Sequence, residues 1–146
     1  LAFDVFSDIF PTTKYKEGKQ DRKKWIKNAG SSSISTNQMS KVLKKQGTKN
    51  FELIAGDITK TLPKYIKKNP NLKISLLNID IDFVESTFCS LEYLYPRVSK
   101  GGIILLDNYG AFHGDTMGVD LYFKKKKIKP LIKYFSFKRN CYVDTF

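Results

Sequence analysis

Acidic side chains collect where this chain leaves its apolar runs. Asp4 follows LAF, Asp57 follows FELIAG, Asp80 and Asp82 close SLLNIDID, and Asp107 with Asn108 follows IILL. Five of only 14 acidic residues, in a chain with 26 basic ones, fall at such ends, more than a solvated surface calls for. Asp80 and Asp82 are two apart, so in an extended backbone both would project to the same side. Carboxylates that close repel unless a cation or a proton separates them. A hard divalent ion such as Mg²⁺ is one answer, with oxygens from Asp107 and Asn108 available to it. A proton shared between the carboxylates is the other, and it suits a general base. Asp57 fits equally well the helix-capping role in which Asp is favoured.

Elements that could hold these acids follow from the apolar spacing. Strands are predicted over LAFDVF (1–6), FELIA (51–55), KISLLNIDI (73–81) and IILLD (103–107). The third is almost continuously apolar, as in a central parallel strand covered on both faces. Helices are predicted over 19–28, from Ser35 to about Gln46, from Thr61 to about Asn69, from Glu85 to Tyr95, and from Thr116 to Lys126. Ser35 with Gln38 forms a capping box for the second, and Gly47 stops it. Pro63 suits the first turn of the third. Loops are expected over 7–18, at AGSSS (29–33), and through DNYGAFHGD, with Ser99 to Gly102 as a turn. The tail reads as a hairpin of LIKYFSF and NCYVDTF, its aromatic residues Tyr134, Phe135, Phe137, Tyr142 and Phe146 serving as core. Alternating strands and helices imply an α/β fold with a mostly parallel sheet, helices on both faces and an antiparallel strand pair at the end. Ligands of such sheets bind at the carboxyl ends of the strands.

Composition narrows the function classes. A chain of 146 residues with 41% hydrophobic and 27% charged residues is a globular domain and not a disordered one. No apolar run is long enough to span a membrane, and LAFDVFSDIF lacks the features of a signal peptide. Cys89 and Cys141 are too few for a disulfide framework, which points to a reduced, cytoplasmic setting. The net charge is +12, but Lys supplies 23 of the 26 basic residues and Arg three. Nucleic-acid sites favour Arg, so the excess is only weak evidence for a nucleic-acid partner and reads first as a solvated basic surface; it would help recruit an anionic substrate such as a nucleotide sugar. His113, the single histidine, is expected to be a solvated loop residue, while Tyr109 and Phe112 could equally line a pocket or pack.

Ordered motifs along the chain resemble one family. LLNIDIDFVEST (76–87), then LYPRV, the paired Gly101 and Gly102, and DNYG, resemble the D-x-D-x-Y-E-S-T, L-Y-P-K-L, G-G and D-D-Y of the macrocin O-methyltransferases. AFDVFSDIFP (2–11) is similar to that family's F-D-S-F-x-G-L-P, and GDITKTLP (56–63) to its G-x-F-x-x-T-L-P. The resemblance implies a Rossmann-like methyltransferase sheet and an S-adenosylmethionine-dependent, metal-assisted methylation of a hydroxyl on a deoxysugar or nucleotide sugar. It implies that Asp4 binds the cofactor ribose, that Gly56, Asp57 and Asp80 lie along the cofactor, and that Asp82 is the catalytic base. Asp80, Asp107 and Asn108 match the metal-ligand positions. Glu85, Ser86 and Thr87 read as the start of the following helix.

Three departures accompany the resemblance. Asn108 stands where the family has a second Asp, which removes one negative charge from the implied metal site. Val84 replaces an aromatic residue, a change expected to affect packing alone. Nothing matches the first strand and the glycine-rich turn with which such domains begin. We therefore expect a single domain over residues 1–146 that is truncated at its N-terminus, with an open sheet edge suited to a homodimer. The competing expectation is an inactive remnant of the fold that serves as an interaction module.

Overall fold

The computed structural model describes residues 1–29, 33–134 and 141–144. Most of the AGSSS loop and the tail residues Phe135, Phe137 and Phe146 lie outside these. The described elements run β1 (Ala2–Asp4), α1 (Lys16–Ala29), α2 (Thr36–Lys45), β2 (Leu53–Ala55), α3 (Ile58–Lys68), β3 (Ile74–Ile79), α4 (Val84–Leu94), β4 (Val98–Leu106), α5 (His113–Lys126), β5 (Ile132–Tyr134) and β6 (Cys141–Asp144). The α/β alternation and the antiparallel final pair are as expected.

Local signals placed most boundaries, and the exceptions have physical causes. The capping box at α2 forms as predicted, the Gln38 amide N–H donating to Ser35 Oγ and Ser35 N–H to Gln38 Oε1. Helix α3 begins three residues before the predicted Thr61, because Asp57 caps it and draws Pro63 inside the helix. The expected turn at Ser99–Gly102 is instead part of β4. Gly101, at φ +77°, supplies a bulge there, and the register with β3 jumps from Ile74↔Val98 to Leu76↔Ile103. Helix α5 starts at His113, so His113, Gly114 and Asp115 are helical and not loop residues.

Strand β3 pairs in parallel with β4, β4 pairs antiparallel with β6, and β6 pairs antiparallel with β5, in the order β3-β4-β6-β5. Strands β1 and β2 form a separate parallel pair. Among the described residues, therefore, one edge of β1 and one of β3 carry no ladder. A cavity of about 580 Å³ lies between them, lined by Leu1 to Phe3 and by the whole run from Leu72 to Ile81. Leu76, on this strand, is 60% exposed. The sheet expected as one is thus two pieces flanking a cleft.

The core lies between the four-stranded sheet and helices α3, α4 and α5. Leu62, Leu91, Ile104, Cys141 and Val143 are buried in it, with Phe123 packed edge-on against Tyr95 and Tyr122 and a tilted contact between those two tyrosines. The tail contributes through Cys141 and Val143 on β6, whereas Tyr134 is exposed. Val84 is buried, as a packing residue should be.

Helices α4 and α5 approach closely because Gly118 has no side chain: a Cβ there would come within 2.7 Å of Thr87 Cβ and 3.0 Å of the Val84 carbonyl oxygen. Gly118→Ala should therefore lower stability by about 2 kcal/mol, although alanine is the better helix former by about 1 kcal/mol. Chemical denaturation measures the effect, and a raised midpoint would refute the close-packed seam.

Candidate active site

The carboxyl ends of β1, β2 and β3 converge on one cavity of about 530 Å³. Its lining includes Asp4, Gly56, Asp80 and Asp82 together with the apolar Phe3, Phe10, Trp25 and Phe83. Trp25 on α1 meets Phe83 edge-on at 5.4 Å and stacks on Phe112 at 5.5 Å, so an aromatic wall closes one side. The loop after β1 is fastened to α4 through Glu85, whose carboxylate accepts bonds from the Thr13 hydroxyl and the Lys14 N–H. Glu85 is thus a structural tie at the start of the helix.

Each acid is held differently. Asp4 ends β1, and its Oδ1 accepts the N–H of Phe6 at 2.9 Å, a local turn in which Phe6 has φ +50°. Gly56 donates its N–H to the Asp4 carbonyl and extends the β1–β2 ladder at φ +118°, a conformation open chiefly to glycine. Asp57 does not line the cavity; its Oδ1 accepts from the Thr59 N–H and hydroxyl and caps α3.

Asp80 and Asp107 are neighbours because β3 and β4 run in register to their ends, Ile79 opposite Leu106, with the Asp107 N–H donating to the Ile79 carbonyl. Burial, and then the charge of Asp107, raise the Asp80 carboxyl above its ordinary range. Asp82 is not in extended backbone: β3 ends at Ile79, and Asp82 has φ +66°. The expected same-side projection along a strand therefore does not hold, although Asp80 and Asp82 reach the same cavity by a different turn. Asn108 donates its amide to Asp82 Oδ1 at 3.2 Å. Burial first, then the charges of Asp115 and Asp80, push the Asp82 carboxyl up to about 7.

A divalent ion fits these side chains only in part. Asp80 and Asp107 offer two carboxylates and Asn108 a neutral oxygen, but no three acidic, histidine or cysteine side chains converge as a metal site among the described residues. His113 lies apart from the acids, half exposed on α5 with Glu17 at 3.7 Å. The Tyr109 hydroxyl bonds Asp120 and Phe112 packs on Trp25, so neither lines the acidic cavity. Sequence reasoning missed Trp25, Phe83, Ser86 and Asp115. Phe10, Pro11, Phe83 and Ser86 lay inside recognised motifs and carried a signal; Trp25 and Asp115 join the site only through packing.

Comparison with known proteins gives a consistent picture. Residues 1–137 match the family model of Macrocin-O-methyltransferase (TylF). The 8-demethyl-8-(2,3-dimethoxy-alpha-L-rhamnosyl)-tetracenomycin-C 4'-O-methyltransferase of Streptomyces olivaceus is 35% identical over 66 residues, 41% of this chain and 25% of that protein. Demethyldecarbamoylnovobiocin O-methyltransferase of Streptomyces niveus is 34% identical over 65 residues, 42% of this chain and 24% of its own. The solved O-methyltransferase NovP superposes with a TM-score of 0.78 at 23% identity, over 98% of this chain and 58% of that one. The calicheamicin methyltransferase CalS11 superposes at 0.67 with 20% identity, again over 58% of its length. The structures share the fold, and the curated matches span about a quarter of the relatives' length. With residues 1–137 of its 146 matched by one family model, this chain belongs to the macrocin-O-methyltransferase family.

Proposed function

We propose that this chain forms most of the catalytic domain of an S-adenosylmethionine-dependent O-methyltransferase whose substrate is a hydroxyl of a deoxysugar or nucleotide sugar. The observation that carries the reading is the convergence of Asp4, Gly56, Asp80 and Asp82 on one cavity at the strand ends. Its volume suits a small ligand or cofactor. S-adenosylmethionine, when bound, supplies an electrophilic sulfonium methyl. Asp4 accepts the ribose hydroxyls, and the Gly56 backbone lets the ligand lie close to β2. Asp80 completes the polar edge of the cavity, and Asp57 acts from beneath as the cap of α3. The aromatic wall of Phe10, Trp25 and Phe83 excludes water from the reacting end.

Asp82 takes the substrate proton. A sugar hydroxyl is weakly acidic, so a base poised near neutrality and held in a fixed direction is what the reaction requires. The Asn108 amide steadies the accepting carboxylate. A divalent ion such as Mg²⁺ would bind Asp80, Asp107 and the Asn108 oxygen and increase the acidity of a chelated hydroxyl; no step here is routed through it. A reduced cytoplasmic setting goes with this reading, supported by free thiols at Cys89 and Cys141; among the described residues no helix is long and apolar enough to cross a membrane.

The cleft between β1 and β3 belongs to the same proposal. One further parallel strand, followed by a glycine-rich turn, fills it in the intact enzyme and completes the cofactor site. The alternative, an interaction module without catalysis, is favoured by those same unpaired edges, which would let two copies join as a homodimer.

Three measurements test these statements. Asp82→Asn should lower turnover by roughly a thousandfold while S-adenosylhomocysteine affinity stays within about twofold; retained turnover removes Asp82 as base. Because the base must be ionised, turnover should rise with pH through about 7 and then level; a profile falling over that range contradicts the assignment. Calorimetry with S-adenosylhomocysteine, with and without Mg²⁺, should give heat that strengthens when a preceding strand is present. No heat in any form, together with concentration-dependent dimers in sedimentation, would establish the interaction module instead.

A further inference from the structure

Helix α5 grips the backbone of Asp82 from both sides. Gly114 lies so close to the Asp82 carbonyl oxygen that no Cβ could fit there, and it is also near Phe83 Cα. Asp115, one residue on and 3% exposed, accepts the Asp82 N–H on its Oδ1 at 3.2 Å. The same oxygen accepts the hydroxyl of the fully buried Thr87 at 2.7 Å. Its other oxygen, Oδ2, is buried without a hydrogen-bond partner.

The backbone held in this way is strained. The Phe83 N–H donates to the Ile81 carbonyl at 2.9 Å, closing a three-residue turn around Asp82. With Asp82 at φ +66°, it is the left-handed form of that turn, which is rare and disfavoured for a residue with a side chain. Such a turn persists only where its surroundings hold it. An acid in the first turn of a helix often serves that helix's own dipole. Asp115 instead directs its hydrogen bonds to the turn after β3 and to α4, and both oxygens are withdrawn from solvent. A carboxylate buried at the expense of one unpaired oxygen is unnecessary for helix capping alone.

We propose that Asp115 is a positioning residue for Asp82: by holding the strained turn, it aims the Asp82 side chain into the cavity and toward the Asn108 amide. The catalytic part of this proposal rests on Asp82 being the base. Asp115 touches neither cofactor nor substrate; it fixes the direction of a group that does. Productive geometry tolerates little misplacement of a reacting group.

The test compares Asp115→Ala, which removes the acceptor, with Asp115→Asn, which keeps an oxygen at the same reach. In the full-length enzyme Asp115→Ala should lower kcat by about 30-fold, with KM for S-adenosylmethionine within about threefold, while Asp115→Asn stays within about fivefold in kcat. The backbone ¹³Cα and ¹³Cβ shifts of Asp82 should keep their left-handed signature in the native protein and in Asp115→Asn and lose it in Asp115→Ala. Where Asp115→Ala does not fold, Asp115→Glu replaces it, since one added methylene displaces the oxygen. Equal behaviour of the paired variants in kcat, or a left-handed Asp82 that survives without the acceptor, overturns the proposal. If Asp82→Asn keeps its turnover, the base assignment falls, and the chemical shifts still decide whether Asp115 holds the turn.

Discussion

The parallel ladder between β3 and β4 is the constraint on which the rest depends. Equal register at the ends of two parallel strands leaves their next residues side by side, and here those residues are Asp80 and Asp107. Burial at this edge, and then the charge of the neighbouring Asp107, raise the Asp80 carboxyl above its ordinary range. The same edge fixes where β3 ends and where the chain turns into α4, which sets Asp82 over the cavity. A neutral Asn108 in place of a further acid relieves some of the repulsion and gives Asp82 a donor.

Around this acidic edge the fold spends its close contacts. Gly118 brings α5 against Thr87, and Gly114 brings it against the Asp82 peptide, so two missing side chains let one helix brace the turn that carries Asp82. On the other side Trp25 carries the aromatic wall and Glu85 ties down the loop that reaches it. Burial, more than any neighbouring charge, is also what raises the Asp82 carboxyl to about 7.

The two halves of the sheet meet around a cleft, not through a ladder. Asp4 and Gly56 come from one half and Asp80 and Asp82 from the other, so the cavity is shared between them. A strand placed in the cleft, as proposed, would also set the distance between Asp4 and Gly56 on one side and Asp80 and Asp82 on the other.

Much of this could be read from the sequence. Apolar runs gave the strands, and the acids at their ends gave a candidate site that holds Asp4, Asp80 and Asp82 but not Asp57, because a parallel sheet delivers its carboxyl ends to one edge whatever packs around it. The capping box at Ser35 and Gln38 was legible because both partners lie within one helical turn. The positive φ of Asp82, the bulge at Gly101, the early start of α5 and the burial of Asp115 were not, since each is imposed by a neighbour distant in the chain. Nothing near Asp115 in sequence shows that it will meet a peptide 33 positions earlier. The sequence alone determined which acids stand at the strand ends; tertiary structure decided how they are aimed and charged, because direction and pKa depend on what is packed alongside and not on residue type.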